Sequence, residues 1–354
     1  MESVRQAMVV AEVDALLLSV CSDLPYLTGY RAMPLERLTM AVVTQSDAVL
    51  VIPGLEAPRV DRTLLPMELV PWSETDDPVK LVASRLGGAG SMAVGSETWA
   101  RFLMRLQAAV PGVVWTDAAA LMSSLRVRKD ADELEKLGAV GRSADSVMTH
   151  LAGVPFAGRT EQDLAIEISG QLRAAGHETV EFAIVASGPN GASPHHEPSR
   201  RVMEQGDLVV CDFGGSMDGY QSDTTRTFQV GSAGAEEREA YEALRAAQQA
   251  AFEAVEPGVT CEAIDQAARS VLEDAGWGEF FIHRVGHGIG LDVHEDPYLV
   301  EGNTTIVEPG MSFSIEPGVY VPGRFGMRIE DIVAVTGDGA QRLNQSSRDL
   351  VAVS

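Results

Sequence analysis

A small α/β domain followed by a larger α+β domain with an approximate internal duplication is the architecture this 354-residue sequence predicts. Three observations carry it. The chain is longer than a single hydrophobic core usually supports. Its first third alternates short apolar runs with helically spaced ones, and this pattern gives way near residue 125 to a long charged helix. Beyond that, two segments share the same order of helix cap, helix, glycine stop and carboxylate-bearing hairpin.

The 27 basic and 51 acidic residues give a formal charge of −24. Such a surface repels phosphate backbones and anionic membranes, so neither nucleic acid nor a membrane is an expected partner. The cysteines, Cys21, Cys211 and Cys261, are odd in number and far apart, which fits reduced thiols in a cytoplasmic protein. The opening MESVRQAMVV lacks the charged and apolar regions of a secretory signal, and nothing approaches the roughly 20 apolar residues of a membrane span.

In the first domain, VDALLLSV from Val13, TMAVVTQSDAVLVIP from Thr39 and SMAVGSE from Ser91 are apolar, β-branched runs bounded by turn residues, and they predict strands. DPVKLVASRL from Asp77 and TWARFLMRLQAAV from Thr98 space their apolar residues as helices do, behind Asp and Thr caps. The basic turn LRVRKD from Leu125 leads into the helix ADELEKLGAVGRSADSVMTHL, so the domains are expected at 1–125 and 126–354.

The second domain duplicates itself. GRTEQDLAIEISGQLRAAG, residues 158–176, aligns with GVTCEAIDQAARSVLEDAG, residues 258–276. Thr160 matches Thr260, Leu164 matches Ile264, Leu172 matches Leu272 and Gly176 matches Gly276. Each unit reads as a Thr-capped amphipathic helix ended by glycine. Each is followed by a hairpin expected to carry a carboxylate at the end of one strand and at the start of the next. These are Asp212 and Asp223 in residues 206–230, and Glu316 and Glu330 in residues 309–335. An approximate two-fold would bring four carboxylates together.

Four converging carboxylates repel each other and lose hydration on burial, a cost that divalent cations remove. Two metals sharing bridging carboxylates can generate hydroxide near neutral pH and polarise a carbonyl. Alone, an Asp at a strand end is usually a turn residue and a His in an apolar stretch a hydrogen-bonded core residue. Together, with Asp212 after LVVC and Glu316 after FSI, where an unserved acid is costly, they point to ligation. His287, framed by Gly286 and Gly288, sits where the backbone can approach a ligand. His150 and His177 read as exposed or helix-terminal residues. No GxGxxG, P-loop, HExxH or GxSxG pattern is present.

The run HRVGHGIGLDVHE, residues 283–295, resembles the signature of the proline-specific metallopeptidases, the prolidases and aminopeptidases P, which share the pita-bread fold with methionine aminopeptidases. SGPNGASPHH from Ser187, VVCDFGG around Asp212, SDTTRTF from Ser222, SIEPGVY around Glu316 and MRIED around Glu330 follow in that family's order. The resemblance implies a creatinase-like accessory domain and a pita-bread catalytic domain. Asp212 would be a ligand of one metal, His287 and Glu316 ligands of the other, and Asp223 and Glu330 would bridge. Manganese, cobalt or zinc occupy such sites, and an oxygen-rich shell with one imidazole favours manganese.

The resemblance further implies that Glu316 is the general base and that His195 and His294 face the substrate. Arg328 would orient a bridging carboxylate or meet the substrate carboxylate, while Tyr220 and Thr225 would orient ligands. For His283 a packing role and a direct role stand level, and His196 is a neighbour of the important residue. The expected activity is hydrolysis of Xaa-Pro bonds, in dipeptides or, alternatively, in the longer peptides of an aminopeptidase P. A non-catalytic peptide-binding relative fits less well, because all five ligand positions are intact. A homodimer is implied, with YLTGYRAM from Tyr26 near the neighbour's site.

Overall fold

The computed structural model describes residues 1–354 as two compact units, Met1–Arg126 and Val127–Ser354. The first contains α1 (Glu2–Val10), β1 (Ala15–Leu18), α2 (Asp23–Thr28), β2 (Met40–Thr44), β3 (Ala48–Pro53), β4 (Glu68–Trp72), α3 (Pro78–Ser84), β5 (Ser91–Val94), α4 (Ala100–Ala109), β6 (Val114–Asp117) and α5 (Ala119–Arg126). One mixed sheet runs β4-β3-β2-β1-β5-β6.

Its strands follow the period of two, with both faces covered. Leu16, Leu18, Val43, Leu50 and Ile52 pack with Val4 and Met8 of α1 and with Leu121 of α5. Leu17, Met40, Val42, Val49 and Val51 pack on the other side with Val79 and Val82 of α3 and Phe102 and Leu106 of α4. The run from Thr39 is a hairpin of β2 and β3 rather than one strand. Asp77 caps α3 by accepting from Val79 N at 3.1 Å. Thr98 does not cap α4, which starts behind Trp99 without a side-chain cap. β4 and β6 escape the sequence pattern because they are the sheet's edges and only partly buried.

The second unit contains α6 (Ala131–Leu151), α7 (Glu161–Ala174), β7 (Phe182–Ser187), β8 (Leu208–Met217), β9 (Tyr220–Val230), α8 (Ala235–Glu253), α9 (Cys261–Asp274), β10 (Gly286–Gly288), β11 (Glu295–Leu299), β12 (Ser312–Ile315), β13 (Gly318–Val321), β14 (Phe325–Arg328), β15 (Asp331–Val335), β16 (Ala340–Arg342) and β17 (Val351–Val353). One sheet runs β17-β9-β8-β7, a second β11-β10-β12-β15-β16, and β13 pairs with β14. The duplication holds at the level of local structure. α7 and α9 are each 14 residues long, behind Thr160 and Thr260. Each threonine bridges a later segment, at Val202 and Ile306. Only Thr160 forms a capping box, with Asp163; the matching position holds Ala263, which has no carboxylate to return.

Each half covers one face of its sheet with helices. Val209, Cys211, Phe213 and Phe228 pack on Leu164, Ile168 and Leu172 of α7 and on α6. Phe313, Ile315, Val333 and Val335 pack on α8 and α9. On the other face of the second sheet Ile332 and Ala334 of β15 pack with Leu137 of α6, Ile289 and Leu343. No helix is long and apolar enough to cross a membrane.

Two glycines give predictions of opposite sign. Gly170 is exposed within α7 with open space at its missing Cβ, whereas a Cβ on Gly326 in β14 would run into the Gly191 backbone. Gly170→Ala should stabilise the unit by roughly 0.5–1 kcal/mol. Gly326→Ala should destabilise it by roughly 1–3 kcal/mol through overpacking. Denaturant midpoints at unchanged m-value would show both shifts.

Candidate active site

The register of the β8–β9 hairpin gathers the first carboxylates. Asp212 pairs with Thr225 and Gly214 with Asp223, so all four share one face, opposite the Cys211 and Phe213 core face. These acids lie mid-strand, not at strand ends as expected. The reversal comes later, at Asp218 and Gly219, whose φ values of 50° and 83° suit a two-residue turn that follows the strand twist. In the second half Glu316 follows β12 and Glu330 precedes β15, where the paired strands part to admit the β13–β14 hairpin.

His287 joins them from β10. Cβ atoms on its flanking glycines would strike the backbone of Ser314 on one side and Asp296 on the other, so the glycines serve close strand packing rather than approach to a ligand. The His287 Nδ1 lies 3.1 Å from the Gly288 carbonyl, which assigns the proton there. Its Nε2 then turns a lone pair toward Glu316 Oε1 at 3.3 Å and Asp223 Oδ2 at 3.7 Å. Burial, aided by His294, holds the imidazole down to about 3, keeping it neutral.

Burial pushes Asp223 and Glu330 well up, each reinforced by neighbouring carboxylates, and raises Glu316 to about 7. Asp212 Oδ1 and Glu330 Oε1 are buried without a hydrogen-bond donor. Acceptors facing acceptors, with two carboxylate oxygens unserved, describe a place shaped for cations. Three groups could each hold one: Asp212, Asp223 and Glu330; His287, Glu316 and Glu330; and Asp223, His287 and His294. The donor set of carboxylates and one or two imidazoles suits borderline divalent ions.

These residues line a cavity of about 680 Å³ together with His195, His283, His294, Arg284 and Arg328, and the apolar Phe182, Ile184, Ile282 and Val293. Arg328 is the cavity's buried cation. It reaches Asp212 through Nη2, Thr225 Oγ1 at 3.1 Å and the Tyr320 hydroxyl at 2.7 Å. Thr225 in turn donates to Glu330 Oε2 at 2.7 Å. One guanidinium thereby steadies a carboxylate from each half.

Several expectations need adjustment. Tyr220 does not orient a ligand: its hydroxyl donates to Glu133 of α6 at 2.8 Å. It stands three residues before Asp223 in the same strand, and an odd offset points it to the opposite face. His177 is buried rather than exposed; its Nδ1 does meet the helix-end carbonyl of Leu172 at 3.2 Å, while its Nε2 meets Ser222 Oγ at 2.9 Å. His283 lines the cavity, its Nε2 3.0 Å from the Tyr320 hydroxyl, and burial pushes it down to about 4.

Sequence reasoning missed Tyr320, Arg284 and the pair Lys129–Glu295. Tyr320 could have been noticed four residues after Glu316, across the proline-glycine break. Arg284 adjoins His283 and stacks over Tyr298 at 4.3 Å. Lys129, within a stretch that reads as a basic turn, is buried against Glu295 at 2.5 Å, next to His294. Nothing in its local sequence signals that.

Comparison with known proteins places this geometry. Metallopeptidase family M24 matches residues 135–337, and the creatinase/prolidase N-terminal domain matches residues 1–128. A protein of Mycobacterium tuberculosis named "Probable dipeptidase PepE" is 44% identical over 336 residues, 94% of this chain and 90% of its own. The "Xaa-Pro dipeptidase" of Lactobacillus helveticus is 36% identical, covering 92% and 91% of the two chains. The crystal structure of dipeptidase PepE from Mycobacterium ulcerans superposes with a TM-score of 0.93 at 43% identity, over 99% of this chain and 96% of that one. With its carboxylate-lined cavity set in a pita-bread unit behind a creatinase-type N-terminal domain, the chain belongs to metallopeptidase family M24.

Proposed function

We propose that this protein hydrolyses the Xaa-Pro bond of dipeptides, using two divalent cations held by Asp212, Asp223, His287, Glu316 and Glu330. The observation that carries this is their convergence at one cavity, where burial drives Asp223, Glu316 and Glu330 toward protonation even with Arg328 beside them. The candidate ligand groups overlap, sharing Glu330, Asp223 and His287, as two neighbouring ions would require, and the two carboxylates among them would bridge. Asp212 would hold one ion, and His287 with Glu316 the other. The Xaa-Pro dipeptidase name of the Lactobacillus relative supports the dipeptide substrate.

Bound there, divalent ions would polarise the scissile carbonyl and activate water as the nucleophile near neutral pH. Glu316, one of the clustered carboxylates, would accept the nucleophile's proton as general base. His195 and His294 face the cavity, where their N–H groups can meet the developing oxyanion and bring a proton to the leaving proline nitrogen. Arg328 aligns Asp212, and His283 with Tyr320 braces that guanidinium. Phe182, Ile184, Ile282 and Val293 offer apolar walls to the substrate side chains. Manganese is the ion we expect from the oxygen-rich shell. Three unpaired thiols fit a cytoplasmic setting, and we expect a homodimer.

Four experiments test this. Adding manganese to chelator-stripped protein should raise its melting temperature, with about 2.7 kcal/mol of stabilisation at 100 times Kd. Asp223→Asn should abolish both that response and hydrolysis. Stripped protein given manganese should cleave Ala-Pro in preference to Ala-Pro-Ala. Preference for the tripeptide would instead indicate an aminopeptidase, and cleavage of neither with any divalent ion would sink the assignment. His195→Ala should lower kcat by on the order of 100-fold at unchanged metal content.

A further inference from the structure

We propose that Glu161 is a positioning residue for His195. Its carboxylate gathers the loop at residues 187–199 and presents that histidine to the cavity. The inference rests on the substrate-facing role of His195 given above.

Glu161 is completely buried at the first position of α7, yet it does not serve that helix end. The capping box of Thr160 and Asp163 already does so. Every donor the Glu161 side chain receives comes instead from the last residue of β7 and the loop that follows it. Oε1 accepts from Ser187 N at 2.8 Å, Ser187 Oγ at 2.6 Å and Asn190 Nδ2 at 3.0 Å. Oε2 accepts from His196 Nε2, Ser199 N and Ser199 Oγ at 2.9, 2.9 and 2.6 Å. Burial alone would push this carboxyl up, but the donors, led by Ser187 and Ser199, bring it down to about 2, so it is an anion at any working pH.

The loop needs such a centre. Beyond Ser187, which pairs with Val209, residues 188–192 form a short 3₁₀ turn and residues 196–199 no regular structure, so no strand ladder holds them. Glu161 substitutes six donors for that ladder at both ends of the segment. On the cavity side, Arg328 Nη1 reaches the Pro194 carbonyl at 3.4 Å, and the Gly191 backbone lies so close to Gly326 that a Cβ would not fit. His195 sits between these attachments and lines the cavity, while its neighbour His196 is tied to Glu161. The loop is therefore held from two sides, and the imidazole's placement depends on the buried anion. A Gln at position 161 would keep the size but turn an NH₂ toward donors.

The experiment compares Glu161→Gln, His196→Ala and the double variant with the parent protein in manganese, reading kcat and KM for Ala-Pro and metal content. Glu167→Gln, on the same helix but paired with His150 and Arg159, serves as control. Glu161→Gln should lower kcat on the order of 10-fold or more, with KM within about twofold and full metal content. His196→Ala should lower kcat less, and the double variant should fall no further than Glu161→Gln alone, because the two act through one contact. The control should retain parental kcat. Parental kcat in folded Glu161→Gln overturns the inference. If that variant does not fold, His196→Ala decides: a lowered kcat at full metal content supports the role, and an unchanged one overturns it. Should His195→Ala itself keep parental kcat, the substrate role of His195 has failed instead.

Discussion

Mutual repulsion among Asp212, Asp223, Glu316 and Glu330 is the constraint around which the second unit is arranged. Each carboxylate loses water on burial, at several kcal/mol per ion in general terms. Only counter-charge and hydrogen bonds offset that. The protein provides the buried cation Arg328, with Arg284 also at the cavity, and two hydroxyls: Thr225, bridging the guanidinium and Glu330, and Ser314, which donates to Glu316. Asp331 shows the alternative. It is equally buried and immediately follows Glu330, yet Arg226, Arg342 and Arg348 surround it, and its carboxyl is held low. Adjacent acids thus meet opposite fates, one neutralised internally and one left open to what binds.

The two halves solve a shared problem with different residues. Each must carry a histidine to the cavity on a segment without continuous strand pairing. In the first half Glu161 collects donors from both ends of the loop. In the second, buried Asp265 of α9 accepts from Val285 N at 2.9 Å and pairs with Arg269, whose guanidinium donates to the carbonyls of Phe281 and His283. A helix carboxylate anchors the loop each time, but at non-equivalent positions. The duplication supplied the scaffold, and the fastenings diverged.

Much of this was legible in the sequence because it depends on local period and spacing. The strands β1, β2, β3 and β5, the duplicated helices and the acid-bearing hairpins all announce themselves through alternation, caps and glycines. The edge strands β4 and β6 did not, since partial burial leaves no apolar run. Tyr220 lies close to Asp223 in sequence, but strand parity turns it to α6 instead. Lys129, His177 and Glu161 are further cases in which the decisive partner lies far along the chain, at Glu295, Ser222 and Ser199. Spacing carries no trace of such pairings.

The β8–β9 register also governs how this chain can change length. Asp212, Thr225, Gly214 and Asp223 share a face only while the number of residues between the two acids keeps its parity and the turn stays at Asp218 and Gly219. Removing a single residue from either strand would rotate one acid into the helix-packed core. Insertions in this hairpin are therefore confined to its tip, in steps that preserve pairing, whereas the faces themselves can only drift by substitution. In a lineage of such proteins, the tip is where length should vary.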